Sequence, residues 1–230
     1  MCWWPQAGRW PRTSRSSSEP GSGMSRTRHV TVADALRDRR SCRSFTGEPL
    51  ADGLLDDLVD RARRTPSAGN SQGVEFLLFE GEEVSAYWDA TLVPERRAVF
   101  PWPGLLRAPA LVVPWGMPDR YVERYAADDK AQAGLGGSAE DWSVPYWLVD
   151  AAFAAMALQL LAVEAGLGCC FFGLFQHEAA VAERFGVPAG ARAVGTVALG
   201  HPDPDGLRPS GSTARGRRPL DEVLHRGGWH

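Results

Sequence analysis

The chain has 230 residues, of which 44% are apolar and 23% charged, so it can bury one sizeable core and is not disordered as a whole. Its net charge of -3 argues against a nucleic-acid partner, because nucleic-acid-binding proteins use clustered cations to neutralise phosphates. No run reaches the ~18 apolar residues of a membrane span, so we expect no membrane partner either. The four cysteines form neither a paired framework nor a CxxC motif, which is typical of a reducing, cytoplasmic location.

Residues 1–28 are predicted to form a disordered basic tail. They hold five arginines and one glutamate, and they mix Trp, Pro, Ser and Gly without a period that could bury a face. Met24 is an alternative start, in which case residues 1–23 are not translated, and a transit peptide is a second alternative. The folded domain is expected over residues 29–230.

Helical and strand patterns alternate through the first half of this domain. Apolar residues at intervals of three or four predict helices that pack one face, and short continuous apolar runs predict buried strands. The predicted elements are a helix that starts at the capping box of Thr31 and Asp34, a helix that ends before Pro66, a strand at 74–79, and a strand at 110–115 whose end is marked by Pro114.

The remainder of residues 81–145 shows few strong periods and is predicted to be helical lid or cap material. Aromatic rings in such a segment can stack on a flat ligand or simply pack the lid against the body. The aromatic residues are Trp88, Trp102, Trp115, Tyr121, Tyr125, Trp142, Tyr146 and Trp147.

The second half of the domain has clearer patterns. Residues 146–165 carry apolar side chains every three or four positions and an uncharged reverse side, which predicts a helix buried on all sides. Such a helix suits the core of an obligate dimer or the core of an ordinary monomer. A strand at 169–173, a helix near 177–185 and a strand at 193–200 complete the domain.

Arginine clusters near the two ends of the domain suit a phosphate group. The planar guanidinium fork binds phosphate oxygens two at a time. Each cluster taken singly is better explained as a solvated basic surface. The clusters comprise Arg39, Arg40, Ser41, Cys42 and Arg43 near the start, and Arg215, Arg217 and Arg218 near the end.

The segment PSAGNSQ lies in a loop just before the first predicted strand and offers Ser67, Asn70 and Gln72. Side-chain amides both donate and accept hydrogen bonds, so they can bind the edge of a heterocycle. The alternative is turn chemistry, in which Asn70 adopts a left-handed conformation and Ser67 bonds to the backbone. On the local pattern alone the turn is the simpler interpretation.

Three other patterns predict no site. The glycines of GLGCCFFG have the wrong spacing for a dinucleotide fingerprint. His201, Asp203 and Asp205 alternate with prolines, which indicates a turn rather than a metal site. Cys169 and Cys170 lie in an apolar strand and are predicted to be inert core thiols. We therefore expect no bound metal.

Taken together and in order, four segments resemble the flavin-dependent nitroreductase family. They are RRSCRSF, PSAGNSQ, EAGLGCCFFG and ARGRRPLDEVLH, and the resemblance covers residues 29–230. It implies an α+β fold, a nitroreductase-like α/β sandwich in which helices flank a central, mainly antiparallel sheet. It also implies an interlocked homodimer with FMN at each of two sites on the subunit interface.

The resemblance also assigns roles by position. The positions that hold the FMN phosphate and ribityl chain are matched by Arg39, Ser41 and Arg43, with Arg40 between them. The basic pair that closes over the phosphate is matched by Arg215 and Arg217. The loop that reaches the flavin of the other subunit is matched by Ser67, Asn70 and Gln72. The stretch near the reactive edge of the ring is matched by Phe172, Gly173 and Leu174, of which Gly173 corresponds well.

One departure from the family pattern concerns the wall of the pocket. After Gln72 the family usually continues with Pro and Trp, whereas this chain has Gly73 and Val74. The sequence therefore predicts a pocket wall that lacks its bulky ring.

The activity that the resemblance implies is electron transfer from NADH or NADPH, through FMN, to a small nitroaromatic or quinone-type acceptor by a ping-pong mechanism. Because the flavin carries the hydride chemistry, no catalytic side chain is expected. Two alternatives stay open: a flavoenzyme of the same fold that runs dehydrogenation or flavin cleavage, and a non-catalytic flavin-binding protein.

Overall fold

A computed structural model describes residues 30–206 and 215–229, so the predicted tail, residues 1–28, lies outside the described residues. The helices are α1 (Val32–Asp38), α2 (Leu54–Ala62), α3 (Glu82–Thr91), α4 (Pro94–Arg97), α5 (Pro118–Ala126), α6 (Tyr146–Glu164) and α7 (Glu178–Phe185). The strands are β1 (Val74–Glu80), β2 (Ala110–Gly116), β3 (Gly168–Phe172), β4 (Arg192–Ala193) and β5 (Thr196–Gly200). The predicted capping box at Thr31 is present, with reciprocal bonds to Asp34.

The strands form one antiparallel sheet in the order β1-β2-β5-β3, and β4 pairs with the end of β2. The sequence suggested that Pro114 ends its strand, but β2 continues beyond it. The partners of β2 on its second side are β5 up to Val112 and β4 from Trp115 onwards. Pro114 lies between them, where its missing N–H costs no ladder bond, so the strand continues to Gly116.

Helices cover both faces of the sheet, because successive residues of a strand point to opposite sides. Along β2, Ala110 and Val112 pack against α2 and α6, whereas Leu111 and Val113 pack against α3 and α7. This arrangement confirms the predicted α+β sandwich around an antiparallel sheet.

Residues 81–145, which the sequence analysis predicts as lid or cap material, contribute both to the core and to a separate cluster. The helix α3 packs Tyr87 and Trp88 into the same core as β2, which is a central strand buried along its whole length. Only the portion from α5 to the start of α6 forms a separate aromatic cluster, with Tyr121 and Trp142 at its centre. Because this segment is rich in aromatic residues but has no clear periodicity, the sequence did not predict that α3 is a core helix.

The apolar helix α6 is buried on one side within this chain, rather than on all sides as predicted. Ala155 and Leu158 face the sheet, but Phe153 is 47% exposed. The partly exposed apolar side chains recur every three or four residues and define what we call the outer face of α6: Val149, Phe153, Met156, Leu160 and Val163.

By length and composition alone, α6 could also cross a bilayer, since it has 19 residues and an 18-residue window within it has a mean hydropathy of 1.7. In this fold, however, it packs against β2 and α2, as the core helix of a sandwich does.

Candidate functional site

The predicted phosphate-binding segment is extended chain that lies along the edge strand β3. The N–H of Cys42 donates to the carbonyl of Cys169 at 2.8 Å, and Ser41 forms a parallel bridge with the same residue. Residues two apart in extended chain point to the same side. Arg39, Ser41 and Arg43 therefore share a side, while Cys42 is buried on the other.

Two of these arginines are half-buried cations. Within residues 30–206 and 215–229, neither Arg39 nor Arg43 forms an ion pair. Burial raises the pKa of the Cys169 thiol to about 11, an effect that the nearby Arg39 opposes. Burial likewise raises the pKa of Cys170, and Arg43 opposes it. The thiols are thus protonated core groups, and both guanidinium groups lie close to β3.

Arg40 does not join this pair. Its side chain is exposed and donates to the carbonyls of Arg37 and Arg39, so it caps the carboxyl end of α1. The prediction grouped it with the others by proximity in sequence, whereas the alternation of extended chain turns it away.

Arg43 lines a cavity of about 340 Å³ whose wall is rich in aromatic side chains, and we call it the aromatic cavity. Its guanidinium lies 5.0 Å from the ring centroid of Trp102, and Phe172 stacks on Trp88 at 5.7 Å. The predicted residues Phe172, Gly173 and Leu174 all line this cavity, and none of the described residues that line it is Asp or Glu. The sequence showed an excess of aromatics here, but not which of them face a cavity.

The loop of Ser67, Asn70 and Gln72 is held in an uncommon backbone conformation. Asn70 and Gln72 have positive φ angles of 55° and 50°, which few non-glycine residues adopt. The Ser67 hydroxyl accepts a hydrogen bond from the N–H of Gln72 at 2.9 Å. The turn chemistry predicted for Ser67 and Asn70 is confirmed, and the three side chains line a second cavity of about 390 Å³.

Helix α5 packs directly against this loop. A β-carbon at Gly73 would clash with the ring of Tyr121, and one at Gly69 would lie 2.7 Å from Tyr125. Because the loop lies directly against these two tyrosines, only glycine fits at both positions.

A buried carboxylate, missed in the sequence analysis, anchors this loop. Asp150 of α6 is 2% exposed and accepts hydrogen bonds from the Tyr121 hydroxyl at 2.7 Å and the Ala68 N–H at 3.0 Å. Burial, together with the Asp150 carboxylate, raises the pKa of Tyr121. The only available signal was an aspartate within an otherwise apolar helix.

Asp150→Ala should lower the free energy of unfolding, because it leaves the Tyr121 hydroxyl and the Ala68 N–H without their acceptor. Each unsatisfied donor costs about 1–3 kcal/mol. Urea unfolding followed by tryptophan fluorescence measures the change. Tyr121→Phe, which removes one of the two donors, should cost less, and equal unfolding midpoints for wild type and Asp150→Ala would contradict the assignment.

Within one chain, the phosphate-binding segment and the loop lie at opposite corners of the sheet. Cys169, beside Ser41, is in the same cross-strand row as Glu80, at the far end of β1 from the loop. Six residues along β1 span ~20 Å and three inter-strand gaps span ~14 Å, so the corners are ~25 Å apart. Within a single chain the two predicted groups of site residues, which we call the half-sites, are therefore separate.

Arg215 and Arg217 are exposed and follow residues 207–214, which lie outside the described residues. In the same C-terminal segment, Arg218 binds Glu222 at 3.1 Å. The convergence of Arg215 and Arg217 on the predicted phosphate-binding segment stays a prediction.

Asp203, from the predicted turn, binds Arg107 at 2.5 Å.

This chain is similar to known proteins in sequence and in fold. A family model described as Nitroreductase family matches residues 36–201. The structure of B. megaterium NfrA2 has a TM-score of 0.64 at 21% identity, covering 86% of this chain and 75% of that one. A nitroreductase-like family protein from Bacillus cereus has a TM-score of 0.63 at 24% identity, covering 88% and 98%.

A third solved structure is described as an FMN-dependent nitroreductase from Clostridium difficile. It has a TM-score of 0.59 at 20% identity and covers 85% of this chain and 98% of that one. No curated protein matches the sequence. At these identities the structural likeness supports the fold alone.

Proposed function

The chain belongs to the nitroreductase family, a family of oxidoreductases, and from this premise we propose that it is an FMN-dependent enzyme. It takes electrons from NADH or NADPH and passes them by a ping-pong mechanism to a small aromatic acceptor of nitroaromatic or quinone type. The observation that carries this proposal is the pair of half-buried arginines close to β3, of which Arg43 lines a cavity that has no Asp or Glu among its described lining residues.

The residues present fit the cofactor. A partly buried guanidinium without an anionic partner is unfavourable, and a phosphate dianion would supply the missing charge to both Arg39 and Arg43. Ser41, on the same side, would donate to the phosphate or the ribityl chain. A flat apolar ring system suits the aromatic cavity, which Phe172 and Trp88 line.

The chain's own residues bind and orient rather than react. When bound, FMN accepts a hydride from the nicotinamide and passes electrons to the acceptor. Arg39, Ser41 and Arg43 would fix the phosphate end, and the backbone of residues 172–174 would border the ring. No side-chain nucleophile is required, and the buried, protonated thiols of Cys169 and Cys170 do not serve as one.

A homodimer would complete each site. Because the two half-sites are ~25 Å apart in one chain, Ser67, Asn70 and Gln72 can close over a flavin at Arg43 only from a second copy. The outer face of α6 is the apolar surface on which two copies would meet, as large hydrophobic interfaces are typical of obligate dimers. Arg215 and Arg217 would then close over the phosphate.

Purified protein should be yellow, with flavin absorbance, and should bleach when titrated anaerobically with NADH or NADPH. Re-oxidation by a nitroaromatic or a quinone should restore the spectrum. The same titration separates the alternatives: yellow protein that neither nucleotide bleaches is not an NAD(P)H-dependent reductase. Colourless protein that takes up no added FMN would overturn the cofactor assignment.

A further inference from the structure

The cavity of about 390 Å³ beside the loop has a different chemistry from the aromatic cavity, and we call it the basic cavity. Most of the described residues that line it are polar, and none of them is Asp or Glu. The polar residues of the wall are Arg63, Arg64, Thr65, Ser67, Asn70 and Gln72. Guanidinium, hydroxyl and amide groups are the donors that proteins use to hold phosphate oxygens.

The charge of this cavity is only partly compensated. Arg63 and Arg64 both bind Asp60, with Arg63 Nε at 2.8 Å from Oδ1 and Arg64 Nη2 at 2.8 Å from Oδ2. Hydrogen bonds from Arg64 and Arg63 hold the pKa of Asp60 below its usual range. One carboxylate thus orients two cations, which keep a net positive charge and unused N–H donors.

We infer that the basic cavity binds a phosphate group of the nicotinamide co-substrate. This inference rests on the proposed function. The single phosphate of FMN is already met by Arg39 and Arg43, whereas NADH brings a pyrophosphate and NADPH a further 2′-phosphate. An acidic chain must attract such an anion through a local basic patch.

The position of the cavity supports the same conclusion. Ser67, Asn70 and Gln72 belong both to its wall and to the loop proposed to cover the flavin of the other subunit. A co-substrate whose nicotinamide lies over that flavin would extend its phosphates along the loop towards Arg63 and Arg64. Both arginine side chains are exposed, so a ligand can reach them without a change in the fold.

Calorimetric titration of the FMN-loaded full chain tests this directly. The probes are ADP-ribose and 2′-phospho-ADP-ribose, which carry the phosphates of NADH and NADPH without the nicotinamide. The double variant Arg63→Ala/Arg64→Ala should bind them about a hundredfold or more weakly, because it loses two charge-assisted contacts that are each worth about tenfold or more. A loss confined to the second probe assigns the 2′-phosphate, and an equal loss assigns the pyrophosphate.

Two further variants separate a binding role from an ordinary surface ion pair. Asp60→Asn removes the competing carboxylate and should tighten binding of both probes, an effect that a merely structural pair would not produce. Arg61 lies on α2, as Asp60 does, but pairs with Glu164 outside the cavity. Arg61→Gln should therefore leave the affinities for both probes unchanged.

The outcomes also distinguish this inference from the proposed function. Suppose that the wild-type protein bleaches with NADH or NADPH, and that the double variant binds the probes as tightly as the wild type does. This result overturns the inference and leaves the proposed flavin enzyme intact. Weaker FMN binding in the double variant, with unchanged probe affinity, would assign the cavity to the flavin phosphate and also overturn it. Failure to bind FMN or to bleach counts against the proposed function itself.

Discussion

Arg39→Ala/Arg43→Ala protein is expected to be folded but colourless. Each charge-assisted hydrogen bond to a phosphate is worth about 1.5–3 kcal/mol, so the loss of two should weaken FMN binding by about a hundredfold to ten-thousandfold. The fold should survive, because neither side chain is tied into an ion pair with the described residues 30–206 and 215–229. Quenching of flavin fluorescence during titration of the apoprotein measures the dissociation constant.

A matched control is available a short distance away. Arg37→Ala removes an exposed arginine that pairs with Asp34 and Asp38 on α1, so flavin affinity should stay the same. Combining Arg43→Ala with Arg217→Ala extends the test to the C-terminal pair and should also give colourless protein. Stoichiometric flavin in Arg39→Ala/Arg43→Ala protein would rule out the phosphate assignment.

Phe153→Asp is expected to convert the protein to a monomer that does not retain FMN. A carboxylate placed on the outer face of α6 would be buried without a partner in the proposed interface, which costs several kcal/mol. Within one chain the substitution is mild, since Phe153 is 47% exposed. Sedimentation velocity measures the mass, and absorbance of the same sample measures the bound flavin.

Val99→Asp serves as the control, because Val99 is 77% exposed and lies just beyond α4, not on α6. It should sediment as the wild type does. A Phe153→Asp dimer of unchanged stability would show that this face is not the interface, and a flavin-loaded monomer would show that one chain makes a complete site.

The local chemistry of the site could be predicted from the sequence, but its assembly could not. The alternation that puts Arg39 and Arg43 on one side and Arg40 on the other follows from extended backbone, yet only the pairing with Cys169 shows that the segment is extended. The positions of α1, α2, α6 and α7 and of the longer strands followed from periodicity, which depends on each element alone, whereas those of α3, α4 and α5 did not.

The remaining features depend on contacts between segments far apart in the sequence. Trp88 and Trp102 become cavity walls only because α3 and the turn before β2 meet β3. Asp150 matters only because Tyr121 and Ala68 are brought to it. The separation of the half-sites follows from the strand order, which no local pattern encodes.

In the proposed homodimer, the diagonal placement of the two half-sites has a genetic consequence. A chain altered at Arg43 and a chain altered at Asn70 would each form inactive dimers of a single kind. In a mixed dimer of the two, one site collects both defects and the other contains neither. Two null alleles would therefore complement each other. In a cell carrying both, each mixed dimer would contain one intact site, although both of its polypeptides are defective.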